Sequence, residues 1–337
     1  MSTRSVGMAS EFREVPEALT RQARRAAAPL ADLVARLNKK PPQVVVTCAR
    51  GSSAHAATYG KYLIERHLGI PVAAASPSTA TVYRKRMALK DQLFIAVSQS
   101  GRSDDLLEMT AMAKSCGALT VALVNDEASP LASSADVMLP MAAGPEVSIA
   151  ATKTFVASLT ALVRLTALWA GELSLLPALE RLPQRLAQAA DLDWRAAAAV
   201  LADASSLVTI GRGPTLAIAR EAALKLKETC DLHAEPFSSA EFLHGPVALV
   251  APDYPVLVFD PADAASAGLR AIVADLRGKG AQVFATGDDL PALAADHPDT
   301  DAICLIQSFY ALLVSIAARR GIDADRPRHL QKVTRTR

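Results

Sequence analysis

Paired cysteines, an excess of charge of one sign and long apolar runs are all missing from this sequence. Its four cysteines, at positions 48, 116, 230 and 304, form no CxxC pair, which argues against a disulfide framework or a zinc site and fits a reducing compartment. The 36 lysines and arginines against 34 aspartates and glutamates leave a formal net charge of +2, too little to attract nucleic acid or an anionic membrane. We therefore expect a ligand in a local pocket and no nucleic-acid partner.

The start of the chain, MSTRSVGMASEFREVPEAL, contains no apolar signal core. The longest apolar run, residues 155–170, is interrupted by Arg164 and is too short to span a bilayer. The resulting expectation is a soluble, cytoplasmic protein without a membrane partner. A length of 337 residues with 51% hydrophobic and 21% charged content suffices for roughly two packed domains.

After an amphipathic helical segment at residues 10–38, β-rich apolar runs alternate with helical stretches. The runs begin with VVVTCA, LFIAVS, LTVALV and DVMLPM, and a long helix from about Thr152 to Ala170 follows them. Strands that alternate with helices predict an α/β fold with a parallel sheet covered on both faces.

The same pattern starts again after residue 190. Gly213 matches Gly51 at an offset of 213 − 51 = 162, and Val283 matches Val121 at 283 − 121 = 162. One register for both landmarks predicts two tandem, doubly wound parallel-sheet domains of flavodoxin-like type, related by internal duplication. The predicted bounds are 1–31 for an N-terminal helical arm, 32–175 for the first domain, 196–326 for the second domain and 327–337 for a C-terminal tail.

Two polar loops in the first half, residues 50–53 (RGSS) and 98–105 (SQSGRSDD), each follow a buried strand and precede a helix. Ligands of open α/β sheets bind at the carboxyl ends of strands, where helix N-termini present free N–H groups. Serine hydroxyls can donate to phosphate oxygens, and a glycine lets the backbone come close. The pair of loops predicts a phosphate site, although a serine-rich cap would explain either loop alone. Asp104 and Asp105 are expected to be helix caps rather than ligands.

The matching loops of the second half, residues 211–214 and 260–263, lack the hydroxyl cluster and carry carboxylates in the latter, so we expect one phosphate per chain. The second half instead carries a strong helix at 219–228, in which Glu221, Lys225 and Glu228 share one face. An exposed stripe of salt bridges is the common explanation for such spacing.

The residues that follow this helix favour a catalytic role for it over a row of exposed salt bridges. His233 and His244, with several carboxylates and a Gly-Pro turn, fall in what the sequence predicts to be one short loop. The two histidines stand eleven residues apart without HExxH spacing or cysteine partners, so we expect no metal and no cofactor. Acid–base work fits better, because a carboxylate beside a lysine can act as a base and histidine can carry protons near neutral pH.

These motifs, with GPEVSIAATKTF, HAEPFSSAEFLHGPVAL and the ending DRPRHLQKVT, resemble the double sugar-isomerase (SIS) domain family, which includes the isomerase half of glucosamine-6-phosphate synthase and stand-alone relatives. The resemblance covers about Met8 to Thr334. It implies that Glu228 is the base that moves a proton between C1 and C2, supported by Lys225 and Glu221. It also implies that His244 opens the sugar ring from across a homodimer interface, in shared active sites, and that Lys332 closes over the open-chain sugar. The implied substrate-binding residues are Gly51, Ser52, Ser53, Ser98, Gln99, Ser100, Ser103, Ile149, Ala151 and Gln331.

Three departures from the synthase pattern bear on the reaction. The chain begins MSTR without a nearby cysteine nucleophile, so we expect no glutamine-hydrolysing domain. Ala151 stands where the family usually has serine, and Arg102 where the synthase has glutamate. The tail PRHLQKVT resembles that of stand-alone deaminases and isomerases.

The expected substrate is a hexose or amino-hexose phosphate, and the expected reaction is deaminating isomerisation of glucosamine-6-phosphate with water to fructose-6-phosphate and ammonia. The alternatives are another phosphosugar aldose/ketose isomerase, a deglycase that acts on a sugar-phosphate amine, and a sugar-phosphate sensor without chemistry.

Overall fold

The computed structural model describes residues 7–332, which contain nine β-strands and thirteen α-helices. The strands are β1 Val45–Cys48, β2 Val72–Ala74, β3 Leu93–Ser98, β4 Leu119–Val124, β5 Val137–Pro140, β6 Ser206–Gly211, β7 His233–Ser238, β8 Pro255–Phe259 and β9 Gln282–Ala285. The helices are α1 Met8–Glu11, α2 Val15–Lys39, α3 Gly51–Leu68, α4 Ser78–Thr81, α5 Asp104–Ser115, α6 Pro130–Ser134, α7 Lys153–Ala170, α8 Leu175–Ala189, α9 Arg195–Asp203, α10 Thr215–Cys230, α11 Ser239–Leu243, α12 Ser266–Gly278 and α13 Pro298–Arg319.

The described residues divide into two compact units, neither of which is continuous in sequence. The first unit comprises residues 17–146, 153–179 and 331–332, and the second comprises 7–16, 147–152 and 180–330. The duplicated α/β fold class is confirmed, whereas the domain bounds given above stay a prediction.

The first unit is built on a five-stranded sheet in the order β2-β1-β3-β4-β5, with every pairing parallel. Every residue of β3 is buried, as expected for a parallel strand with helices on both faces. On one face Phe94 and Ala96 pack with Leu106 and Met109 of α5. The strand order reverses between β1 and β3, and this reversal is where doubly wound folds open a ligand crevice.

The second unit repeats the arrangement with four parallel strands in the order β7-β6-β8-β9. Val46 pairs with Phe94 in the first sheet, and Val208 pairs with Val256 in the second. The differences 208 − 46 and 256 − 94 both equal 162, so the repeat predicted from the sequence also reproduces the pairing register. The duplication therefore extends to the alignment of the two central strands.

One strand lies where the sequence predicts a loop, because His233–Ser238 form β7 at the edge of the second sheet. Pro236 stands opposite Thr209 of β6, and an edge position tolerates a proline that cannot donate a hydrogen bond. The prediction of one continuous loop from His233 to His244 is therefore wrong: the strand runs directly into α11.

Helix α13, which is not among the apolar runs described above, is long and apolar enough to cross a membrane by length and composition. Of its most apolar stretch 72% is buried inside the protein, where Phe309 and Tyr310 pack in the second unit. This burial is typical of the core helix of a folded domain.

Candidate functional site

Both predicted phosphate loops lie at the carboxyl edge of the first sheet, one after β1 and one after β3. These strands are neighbours and flank the reversal of strand order, so the two loops lie side by side at the position where doubly wound folds bind ligands, which we call the crevice. The loop after β1 leads into α3 at Gly51, and the loop after β3 leads into α5 through Ser103 at the N-cap position. Two helix N-termini therefore accompany the serines.

The second loop is shaped by its own serines. Ser98 Oγ accepts a hydrogen bond from the Gly101 amide at 3.0 Å, and Ser100 Oγ accepts one from the Arg102 amide at 3.3 Å. Gly101 has a φ of 62°, and a Cβ added to it would lie 2.1 Å from Ser129 Oγ. Only glycine fits this position, because a side chain would meet both backbone strain and a clash.

The hydroxyls differ in their access to solvent. Ser98 is buried, whereas Ser52, Ser53, Gln99, Ser100 and Ser103 are half-buried and Gly51 is exposed. Ser103 makes no side-chain cap hydrogen bond, so its hydroxyl is not used to cap α5. The half-buried groups could donate to an anion from their present positions.

Asp104 and Asp105 lie in the first turn of α5 as expected, but Ser103 takes the cap position. Asp105 is 1% exposed and instead accepts hydrogen bonds from Arg50 Nε at 2.9 Å and Nη2 at 2.8 Å. Arg50 therefore belongs to the crevice, although it was not predicted as a site residue. Its place directly before Gly51 was the available signal.

Cys48 ends β1 beside the same crevice. Burial raises the pKa of its thiol to about 12, with a further rise from Asp105 and an opposing effect of Arg50. The thiol is therefore protonated at neutral pH and is no nucleophile.

The acid–base residues predicted on α10 are largely buried, which rules out an exposed salt-bridge stripe. Glu221 is 0% and Lys225 1% exposed, and the Lys225 ammonium contacts Glu228 and lies 3.5 Å from Glu221 Oε1. Glu228 retains 21% of its side-chain exposure, so it is the member of the cluster that a ligand can reach. A carboxylate that a ligand can reach, held by a neighbouring ammonium, can serve as a proton acceptor.

The two histidines predicted to take part in acid–base chemistry are exposed and lie on separate elements of the second unit. His233 begins β7, whereas His244 follows α11 at its C-cap. Leu243 and Leu249 beside His244 are 45% and 50% exposed. Among residues 7–332, no group of three or more histidines, cysteines or carboxylates could hold a metal ion.

Glu146 is a second residue that was not predicted from the sequence. Its carboxylate accepts hydrogen bonds from the Thr154 amide at 3.0 Å and hydroxyl at 2.7 Å, and from Lys332 Nζ at 3.0 Å. All three residues belong to the first unit. Lys332, predicted to close over the sugar, is thus held by a buried carboxylate, while Gln331 next to it is exposed.

The segment that carries Ile149 and Ala151 belongs to the second unit. Glu11 of α1 accepts the amides of Val147 and, at 3.1 Å, Ser148, and Asp325 accepts the Ser148 hydroxyl at 3.1 Å. Ile149 and Ala151 themselves are half-buried. Their predicted contact with substrate stays a prediction, as do the roles of the other site residues.

Two parallel doubly wound sheets, with serine-rich loops at the carboxyl edge of the first, define a duplicated α/β class of protein with a candidate anion site. The SIS domain family matches residues 20–168 and 200–294, and the chain belongs to that family. The glutamine–fructose-6-phosphate aminotransferase (isomerizing) of Symbiobacterium thermophilum is 35% identical over 314 residues, which cover 86% of this chain and 51% of the relative. The chain thus spans about half the length of the curated relatives it matches.

Two solved structures share the fold over nearly the whole chain. A protein of Silicibacter pomeroyi DSS-3, provisionally described as a phosphosugar isomerase, is 47% identical with a TM-score of 0.91 and covers 94% of this chain and 99% of its own. A glucosamine-6-phosphate deaminase of Thermotoga maritima has 23% identity, a TM-score of 0.77 and coverage of 96% and 99%, which shows a common fold.

Proposed function

We propose that this protein is a phosphosugar isomerase that releases ammonia, converting glucosamine-6-phosphate and water to fructose-6-phosphate and ammonia. The observation that carries the proposal is the buried Glu221–Lys225–Glu228 cluster, with Glu228 as its reachable carboxylate. The S. pomeroyi protein, at 47% identity, supports the phosphosugar class. The named T. maritima deaminase supports only that the fold is compatible with this reaction.

In the proposed reaction His244 assists opening of the sugar ring, which exposes an aldehyde at C1 and a C–H bond at C2 that carries the amine. Glu228 removes the C2 proton, and the electron pair forms an enolamine between C1 and C2. Return of the proton to C1 gives an imine at C2. Water adds to that imine, and ammonia leaves as the C2 carbonyl forms.

Lys225 and Lys332 supply the positive charge that such a path requires. Lys225 contacts Glu228 directly, so its ammonium holds the carboxylate in position for the C2 proton. Lys332, held by Glu146, offers a cation beside the oxygen that gains charge in the enolamine. The half-buried serines of the crevice hold the phosphate.

The releasing direction is favoured over amination because it needs only water as second reactant. Amination of the ketose requires an ammonia source, whereas the proton-transfer groups above suffice for hydrolysis of the imine. We further propose a homodimer in which His244 serves the neighbouring subunit, because the exposed Leu243 and Leu249 beside it offer apolar area for a second copy to cover. A soluble cytoplasmic location accompanies this proposal.

The decisive experiment incubates purified protein with glucosamine-6-phosphate and measures ammonia and fructose-6-phosphate separately. Equal amounts of both products support the deaminating reaction. Ketose from an unaminated hexose phosphate, without ammonia from the amino sugar, would reassign the protein to the aldose/ketose isomerases. Ammonia from a sugar-phosphate amine adduct alone would point to a deglycase, and tight binding without any product would point to a sensor.

A further inference from the structure

The guanidinium of Arg50 bridges the two loops of the crevice. Arg50 follows β1 and holds the N-cap position of α3, whereas its partner Asp105 lies in the first turn of α5, after β3. Two nitrogens of Arg50 bind the same oxygen, Oδ2 of Asp105, at 2.9 and 2.8 Å. The cation therefore links the loop after β1 to the first turn of α5, at the reversal of strand order.

The pair is asymmetric in its exposure to solvent. The Asp105 side chain is 1% exposed, whereas the Arg50 side chain is 55% exposed. A buried carboxylate is costly unless it is paired, so Asp105 fixes the guanidinium in place. Because Nε and Nη2 serve Asp105, the donors of Nη1 remain for another acceptor.

Oδ1 of Asp105 is buried and has no hydrogen-bond partner among residues 7–332. The charge of this carboxylate is thus directed to Arg50 through one oxygen only. A guanidinium fixed in this manner loses little side-chain entropy when it binds an anion, which a free surface arginine would have to lose.

We propose that Arg50 is a phosphate-binding residue, positioned by Asp105, that makes the crevice select ligands with a phosphate monoester over neutral sugars. The inference rests on the proposed function, since it deepens the assignment of the same crevice. Hydroxyls and amide groups can hold many anions, but a fixed planar cation adds a charge-assisted bond that depends on the charge of the ligand. Arg50 thereby contributes to binding more than to turnover.

The test compares Arg50→Gln, Arg50→Lys and Asp105→Asn with wild type by calorimetric titration of inorganic phosphate, glucosamine-6-phosphate and unphosphorylated glucosamine. Arg84→Gln is the matched control, because Arg84 pairs with Glu108 at 2.8 Å on the exposed surface of the same unit. We expect Arg50→Gln to weaken both phosphate ligands about tenfold or more. The phosphate affinity of Arg50→Lys should lie between those of wild type and Arg50→Gln. An ammonium keeps the charge but lacks the planar set of donors that binds Asp105 and phosphate together.

Unchanged phosphate affinity in a folded Arg50→Gln or Arg50→Lys protein overturns the inference, as does an equal loss for glucosamine with and without phosphate. An equal loss for both sugars would show that the Arg50–Asp105 pair stabilises the two loops without binding phosphate. If wild type binds glucosamine-6-phosphate through Arg50 but makes no product, the inference stands and the proposed reaction fails. If wild type makes ammonia and Arg50→Gln has the wild-type KM, the reaction stands and the inference fails.

Discussion

Lys332 Nζ lies 3.0 Å from Oε2 of Glu146, although the two residues are 186 positions apart in the sequence. The same carboxylate accepts the Thr154 amide near the start of α7, so one buried group joins a helix N-terminus to the last described residue of the chain. The carboxylate suits both partners, because helix N-termini and ammonium groups both favour a negative charge.

Glu146→Gln should therefore release Lys332 while the protein stays folded. A neutral glutamine cannot form the ion pair with the ammonium, so the tail is held less firmly, and we expect kcat for ammonia release to fall about tenfold or more. Stability should fall by about 1 to 3 kcal/mol in urea unfolding. Thr154→Val is the control: it removes the hydroxyl bond to Glu146 and leaves the ion pair intact. Equal kcat losses in both variants would contradict the anchoring role.

Glu228→Gln should abolish proton transfer and preserve binding. A glutamine has nearly the same size but cannot accept the C2 proton, so kcat should fall by about two to four orders of magnitude with little change in the affinity for glucosamine-6-phosphate. Glu235→Gln, an exposed carboxylate of the same unit, is the control and should leave the rate unaltered. Ammonia release at the wild-type rate from Glu228→Gln would remove this residue from the mechanism.

Lys225→Met should destabilise the second unit strongly. It leaves Glu221, which is 0% exposed, with its charge buried and without the ammonium 3.5 Å away. Breaking a buried ion pair by removing one partner costs about 3 to 5 kcal/mol, which urea unfolding can measure. The matched control is Lys227→Met on the same helix, an exposed residue that donates to the Ala234 carbonyl at 3.0 Å, where we expect about 1 kcal/mol or less.

The sequence predicted those features that local pattern determines. The apolar runs of β1, β3, β6 and β8 predicted these strands. The polar residues after β1 and β3 predicted the position of the crevice, because sheet topology brings the loops of neighbouring strands together. Strand β7 was not predicted, because an edge strand with a proline and polar residues shows no alternation of apolar and polar residues. The partners of Arg50 and Glu146 were not predicted either: a pairing across 55 or 186 residues has no local signature.

Cys116 should be the one cysteine that reacts quickly with a thiol reagent in the folded protein at pH 7. Burial raises the pKa of Cys48, Cys230 and Cys304 to about 12, 11 and 12, whereas Cys116 is half-buried. Absorbance of released thionitrobenzoate should report one thiol before unfolding and four in denaturant. Cys116→Ser should lose the fast phase, and more than one fast thiol in wild type would contradict the burial.

The same three thiols make stability depend on alkaline pH. Their folded pKa values lie above the ordinary value of 9.0, so unfolding releases protons once the pH exceeds 9. Their contribution is complete below pH 9 and is lost as the pH rises through about 11 to 12. The urea midpoint should fall over this window, and it should fall less in a Cys304→Ala protein.

Gly101→Ala should disrupt the second serine loop more than Gly51→Ala disrupts the first. Both glycines have positive φ, 62° and 52°, so each alanine carries left-handed strain of about 1 kcal/mol. A Cβ at Gly51 meets no atom within 4 Å, whereas one at Gly101 would lie 2.1 Å from Ser129 Oγ and 2.6 Å from Ser129 Cβ. Urea unfolding should therefore show a larger loss for Gly101→Ala, together with weaker binding of inorganic phosphate.

Ser129→Gly distinguishes the two costs of Gly101→Ala, which are backbone strain at positive φ and the steric clash with Ser129. It removes the side chain that the new methyl group would meet, although it also removes a cap hydrogen bond to the Ala132 amide of α6. In a double-mutant cycle the two changes should therefore couple, with the Gly101→Ala loss smaller in the Ser129→Gly background. Additive losses would mean that the loop moves away from Ser129 and that backbone conformation alone requires the glycine.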